Sequence, residues 1–350
     1  MTYKAKIPPR RALVVKPSSL GDILHLFPAL SLLHRAWPET VFDFLVCPAF
    51  APILDYAPCP IRRRILFRRK ELGRPGTFFR EFPELCRELR KEPYDLVIDF
   101  QGLFRSALFS RIAGRTAGFA APRERTARFL YSDRIAVRPE HVHAVERYVD
   151  LADGLTGRND PVPRCELPVN PGEAEALRRV AGTLPPSLIA MIPGARWESK
   201  KFPPELFAET ALALYRRMPE LTFALLGAGD DREAGDRIRA LLNGRVPLLN
   251  LTGKTSLGGM MELLRASRAV ISNDSGPMHA AAALGRRVYA FFGPTDPEKT
   301  GPYGPEHRIC RLSLDCAGCL RRKCPRGNPP PCHRLDAERI AAEIWSDISQ

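Results

Sequence analysis

No stretch of the 350 residues approaches the roughly 18 consecutive apolar positions that a membrane-spanning helix needs. The opening segment, MTYKAKIPPRRALVVKPSS, has only the short apolar run Ala12–Val15, too little for the core of a secretory signal. Both absences lead us to expect a cytoplasmic protein. An even-numbered secretory cysteine framework is also missing. Cys47, Cys59, Cys86, Cys165 and Cys310 are scattered and read as reduced thiols. There is no low-complexity tract. Gly253-Lys254-Thr255 is not a Walker A loop, because the glycine required upstream would sit at Leu248. Gly227-Ala228-Gly229 is a fragment of a nucleotide-binding turn that lacks the third glycine of the full fingerprint.

What is present is enough chain for two domains with proper cores, with 45% apolar residues. The balance is strongly basic, at +14. Arg62, Arg63, Arg64, Arg68, Arg69 and Lys70 form a dense run. Such a run suits anionic partners: a phosphorylated substrate, an acidic membrane face or nucleic acid. Equally, it suits an arginine-rich composition spread over solvated faces.

Short apolar runs alternate with helical patterns. Arg11–Lys16 reads as a strand, Ile23–Ala36 as a helix, and Val41–Cys47 and Asp95–Asp99 as strands. A helix is expected over His143–Leu155. Leu155–Gly172 is rich in proline and glycine and reads as the connection between domains. A second series then follows: strands at Leu188–Ile192 and Leu221–Leu226, helices at Pro204–Arg216, Arg232–Leu242 and Leu257–Ala266. Strand–helix alternation of this kind implies α/β domains with parallel sheets.

The most informative stretch is Ser267–Gly304. Ala269–Ser272 is a strand, Asn273-Asp274-Ser275-Gly276-Pro277 a turn, Met278–Leu284 a helix, and Val288–Phe292 another strand. Asp274 or Ser275 can cap the helix, and Pro277 suits its first turn. Gly276 allows close approach of a ligand. The leading N–H groups and the helix dipole favour an anion such as a diphosphate, to which His279 could donate. An ordinary capped helix fits the same residues. Three further patterns carry two readings each. Asp22, in Ser18-Ser19-Leu20-Gly21-Asp22, is a candidate general base or only a dipole-stabilised carboxylate at a helix start. Arg196, Lys200 and Lys201 are phosphate-neutralising cations or residues of a solvated loop. Cys316, Cys319, Cys324 and Cys332 are spaced C-x2-C-x4-C-x7-C, a zinc or iron set or free thiols.

Taken together, five segments resemble the glycosyltransferase family 9 heptosyltransferases. They are LVVKPSSLGDILHLFPAL, PGARWESKKFP, LLGAGDDREAGDRI, NLTGKTSLGGMMELLRASRAVISNDSGPMHAAAALG and FFGPTDPEKTGPYG. The likeness spans nearly the whole chain. It implies a GT-B fold, two Rossmann-like domains with parallel sheets facing across a cleft. The expected boundaries are an acceptor domain at 1–165 and a nucleotide-sugar domain at 166–334 with a cysteine-rich loop at 310–332. A last helix at 335–350 is expected to pack back on the first domain. The resemblance also implies an inverting transfer of heptose from ADP-heptose to the Kdo or heptose of a lipopolysaccharide precursor, lipid A-Kdo. On this reading Asp22 is the base, and Ser18, Ser19 and Gly21 lie beside the reacting centre. Lys200, with Arg196 nearby, meets the donor diphosphate. Asp274, Ser275, Gly276, Pro277, Met278 and His279 form the donor turn, with Thr295 and Asp296 as weaker candidates. No cofactor is required for catalysis; a structural zinc or iron at the four cysteines is expected. The protein would touch the inner face of the cytoplasmic membrane and bind no nucleic acid. A related transferase acting on another glycan or a protein is the alternative. A metal-dependent nucleic-acid binder would leave the 270–304 stretch unexplained.

Overall fold

The short apolar runs become the strands of two parallel sheets in the computed structural model, which describes residues 8–139 and 142–349. The first residues of the opening segment, read above as lacking a leader, lie outside that range. The chain divides into two units, Met1–Pro168 and Val169–Gln350.

In the first unit the order is β1 (Arg11–Val15), α1 (Leu20–Ala36), β2 (Val41–Val46), β3 (Ile61–Leu66), α2 (Pro75–Arg90), β4 (Tyr94–Asp99), α3 (Phe104–Ala113), β5 (Gly114–Phe119), β6 (Asp133–Ile135) and α4 (Ala144–Thr156). The strands pair in the order β3-β2-β1-β4-β5-β6, all parallel. Leu13, Val15, Leu45 and Val97 meet Leu85 and Leu89 of α2 and Phe109 of α3. α1 packs against α4. β1 is buried at four of its five positions because helices cover both faces, as a central parallel strand requires.

The second unit runs α5 (Pro171–Ala181), β7 (Leu188–Ile192), α6 (Pro204–Arg217), β8 (Thr222–Leu225), α7 (Arg232–Leu242), β9 (Leu248–Asn250), α8 (Leu257–Ala266), β10 (Ala269–Asn273), α9 (Gly276–Ala283), β11 (Arg287–Phe291), α10 (Pro297–Thr300), β12 (Arg308–Cys310) and α11 (Ala337–Ile348). Its sheet order is β12-β11-β10-β7-β8-β9, again all parallel. Alternate strand residues Ile189, Met191, Phe223, Ile271 and Phe291 face a core closed by α6, α7 and α11.

The closing helix belongs to the second unit: Ile340, Ala341, Ile344 and Ile348 lie in its core, beside α6. Asp347 fastens that end to β11 and β12, accepting from Tyr289 Oη at 3.0 Å and from the Arg308 guanidinium at 3.1 Å. Its carboxyl is held below the ordinary aspartate range, chiefly by Arg308. Arg62, Arg63 and Arg64 of the arginine run lie on edge strand β3, and much of the run's charge is matched locally. Arg62 pairs with Asp43 and Glu92, Arg63 with Glu88 and Glu92, Arg64 with Asp55, and Arg68 with Glu81 and Glu84. Four of these cations are therefore held by acidic partners rather than presented as an open patch.

Candidate active site

Parallel sheets place their ligand-binding loops at the carboxyl edge, where strand order reverses. In the first unit that point lies between β1 and β4. The loop after β1 carries Ser18 and Ser19 and opens α1, with Ser19 as its N-cap. Asp22 reaches back: its Oδ2 accepts from Ser19 N at 2.9 Å and Ser19 Oγ at 2.8 Å. Thus the helix-start role considered for Asp22 is real. It does not use up the carboxylate, which keeps 40% exposure. Its Oδ1 lies 3.9 Å from the ammonium of Lys16.

Lys16 directly follows β1 and is buried. Its Nζ donates to the Phe100 carbonyl at 3.2 Å and lies 4.8 Å from the centre of the Tyr148 ring. Burial works against the charge, but Tyr148, Asp22 and Asp99 outweigh it and leave the lysine pKa raised. Asp99, at the end of neighbouring β4, is itself buried and accepts from Ser106 Oγ, Tyr131 Oη and the Gln101 and Gly102 amides. Burial raises its pKa, against those hydrogen bonds. A buried cation thus sits directly behind an accessible carboxylate.

In the second unit the reversal lies between β7 and β10. Asn273, the last residue of β10, ties the two strand ends together: its Nδ2 donates to the Pro193 carbonyl at 2.6 Å and its Oδ1 accepts from Phe202 N at 3.4 Å. Asp231, after β8, closes the same edge by accepting from Ala228 N at 2.8 Å, and a Cβ at Gly194 would lie 2.3 Å from it. Lys200, Asp274 and Thr295 come from the loops after β7, β10 and β11. Lys200 Nζ lies 2.6 Å from Asp274 Oδ2, and Thr295 Oγ1 donates to the same oxygen at 2.5 Å. Lys200 also rests 4.7 Å from the centre of the Trp197 ring. Beside them α9 begins. Its N-cap is Ser275, but no side chain caps it; Asp274 is engaged with Lys200 instead. The leading amides of a helix have no acceptor within it, and Pro277 has none to offer, which leaves those of Gly276 and Met278. A cation, a hydroxyl and free amides therefore converge on one edge, a set suited to a phosphate-bearing ligand.

The family's sequence model, glycosyltransferase family 9 (heptosyltransferase), matches residues 83–329. The chain belongs to that family. It is 31% identical over 367 residues to lipopolysaccharide heptosyltransferase 1 of Pseudomonas aeruginosa, spanning 95% of this chain and 97% of that protein. To lipopolysaccharide heptosyltransferase 2 of Salmonella typhimurium it is 30% identical, over 97% and 99% of the two chains. Among solved structures, E. coli heptosyltransferase WaaC with ADP superposes with a TM-score of 0.76 at 27% identity, covering 96% of this chain and 99% of that one. E. coli ADP-heptose lps heptosyltransferase II gives 0.77 at 27% identity, covering 97% and 99%. The expected fold class is thereby established: α/β, with the two Rossmann-like domains of the GT-B class.

The other residues singled out in this family 9 chain fall as follows. Arg196 is exposed, near Lys200 in sequence but outside the Asp274 cluster. Met278 is fully buried, so only its backbone can meet a ligand; His279 is buried and already engaged by a neighbouring group. Gly21 is buried in the first turn of α1. Asp296 caps α10 by accepting from Glu298 N. Cys316, Cys319, Cys324 and Cys332 lie near enough that the first three, after burial, contribute to raising the Cys332 thiol pKa. Yet among the described residues no group of three or more His, Cys, Asp or Glu side chains is placed to hold a metal ion. As they stand, the four sulfurs are gathered without forming a coordination shell. Inspection of the sequence missed Lys16, Asn273 and Asp231. A lysine directly after the apolar run Ala12–Val15 and an asparagine ending β10 were the available signals.

Proposed function

We propose that this family 9 heptosyltransferase moves heptose from ADP-heptose to the inner core of a lipopolysaccharide precursor, at Kdo or a first heptose. The convergence of Lys200, Thr295 and the start of α9 on Asp274 carries the reading, supported by relatives named as lipopolysaccharide heptosyltransferases.

The donor diphosphate lies against Lys200 and the Gly276 and Met278 amides, with Ser275 and His279 beside it. Asp274 takes the sugar hydroxyls, and Arg196 adds positive charge at the rim. Asp22 takes the acceptor's proton, with Ser18 and Ser19 holding the loop around it. The acceptor oxygen attacks the anomeric carbon as the bond to the diphosphate breaks. The hydroxyl proton passes to Asp22, ADP leaves with the electron pair, and the configuration inverts. Lys200 and the helix start stabilise the charge growing on ADP, and no cofactor enters this scheme. The four-cysteine loop is structural in this reading, with zinc or iron as the candidate occupant suited to thiolates. Among the described residues no helix is long and apolar enough to cross a membrane. The assigned place is the cytoplasmic face of the membrane, with the basic chain touching acidic lipid from that side.

The test is Asp22→Asn. Turnover should fall by about 100-fold or more, the scale of general-base catalysis, while ADP binding by calorimetry stays within twofold. Turnover near the wild-type rate would remove Asp22 from the reaction. A calorimetric screen of ADP-, UDP- and GDP-sugars, followed by lipid-linked and protein acceptors, would distinguish the proposed reaction from a related transfer.

A further inference from the structure

The cysteine-rich segment does more than extend the second unit. Ser199 precedes Lys200 and is buried. All three of its hydrogen-bonding groups are taken by residues 321–333. Its N–H donates to the Arg322 carbonyl at 3.2 Å, its Oγ donates to the Arg321 carbonyl at 2.6 Å, and its own carbonyl is 2.9 Å from His333 Nε2. A carbonyl can only accept, so His333 is the donor there. The His333 ring also stacks on Phe202, with centroids 4.2 Å apart, on the far side of Lys200 in the chain. The loop that carries Thr295 hangs on the same segment. Gly318 N donates to the Gly293 carbonyl at 3.1 Å and Leu320 N to the Pro294 carbonyl at 2.7 Å. A Cβ on Gly293 would come within 2.7 Å of Cys332 Sγ.

We propose that residues 316–333 are the element that positions Lys200 and Thr295, with Ser199 and His333 as positioning residues for the donor. Lys200 and Thr295 both end on the same Asp274 oxygen, so one segment fixes two of its three loops. Most of this segment lacks regular secondary structure; only Pro331–His333 makes a 3-10 turn. Its shape therefore rests on its own turns, the stacked His333 and the gathered cysteines. The proposal builds on Lys200 meeting the diphosphate, and the experiment separates the two claims.

ADP binding is measured by calorimetry on the full chain for Ser199→Ala, His333→Phe, Lys200→Met and Ser199→Ala combined with Lys200→Met. His333→Phe keeps a stacking ring and loses the hydrogen bond. Each single positioning variant should bind ADP about five- to tenfold more weakly, the worth of one buried hydrogen bond, with the KM for acceptor unchanged. In the double variant the Ser199 change should add nothing beyond Lys200→Met, because it acts through the lysine. Wild-type ADP binding in both Ser199→Ala and His333→Phe, beside weak binding in Lys200→Met, would overturn the positioning role alone. Fully additive losses would overturn it too, marking general loosening. Unchanged binding in Lys200→Met would remove the donor reading and this proposal with it. Should His333→Phe fail to fold, Gly293→Ala probes the same segment from the other loop, with the same expected loss of ADP affinity; wild-type binding there would count against the proposal.

Discussion

Replacing Lys16 by methionine removes a charge while keeping most of the buried volume. The ammonium is 3.9 Å from Asp22 Oδ1. At that distance a unit pair is worth about 4 kcal/mol at an effective dielectric of 20 and about 1 kcal/mol in bulk water. Asp22 is 40% exposed, so solvent screening favours the lower part of that range. That leaves a pair worth about 1–2 kcal/mol, roughly a tenfold factor in an equilibrium constant. The sign is set by the charges: the attraction that raises the lysine also favours the carboxylate over its protonated form. In Lys16→Met the acid limb of the kcat/KM profile should therefore move upward. Lys16→Arg, which keeps the charge, should move it far less. The position of a limb does not depend on how much of the sample is folded, so lost stability cannot mimic the result. Coincident limbs for Lys16→Met and the parent would refute the coupling between this lysine and the proposed base, Asp22.

Asp347→Asn should destabilise the second unit by about 1–2 kcal/mol at neutral pH, for partly exposed bonds to charged partners. Because the folded carboxyl is held below its ordinary value, the deficit should be full above about pH 4 and shrink as pH falls through that range; a deficit constant down to pH 2 in denaturant titrations would contradict the pairing. Ile344→Ala opens a cavity at a fully buried site on α11 and should cost about 2–4 kcal/mol. A loss under 1 kcal/mol would mean that the closing helix is not part of that core. Elemental analysis of protein purified without chelator decides whether the gathered cysteines close on a metal: close to one zinc or iron per chain, with a lower Tm on its removal, would support the proposed structural site. Less than a tenth of an equivalent would leave the cysteines as free thiols.

Much of the second unit was legible residue by residue. β7, α7 and α8 fall where periodicity and turn residues put them, because each is a local pattern bounded by proline, glycine or polar caps. β3 was hidden because Arg62, Arg63 and Arg64 occupy an edge strand where period-two alternation is carried by isoleucine and arginine rather than by clean apolar and polar residues. α5 starts at Pro171, inside the proline-rich stretch read as linker, where Asn170 caps it by accepting from Glu173 N. Lys200, Asp274 and Thr295 were each named from motifs, and the structure brings these three side chains together, but what supports them was not legible. Ser199 and Arg321 are 122 positions apart, and Lys16 reaches Phe100 across 84. No local spacing announces such partners, since only the return of the chain along a parallel sheet brings them together. The arginine run stayed open between two readings for a related reason: its acidic partners Asp43, Glu88 and Glu92 lie elsewhere in the chain.

Lys200 is already matched with a carboxylate. An incoming anion therefore gains this cation only by leaving Asp274 in need of another partner. A stray inorganic phosphate brings none. On the proposed reading a nucleotide sugar brings hydroxyls to satisfy the acid while its diphosphate takes the base, so the two halves of one ligand separate the pair together. On that reading the lock opens to a molecule and not to a charge.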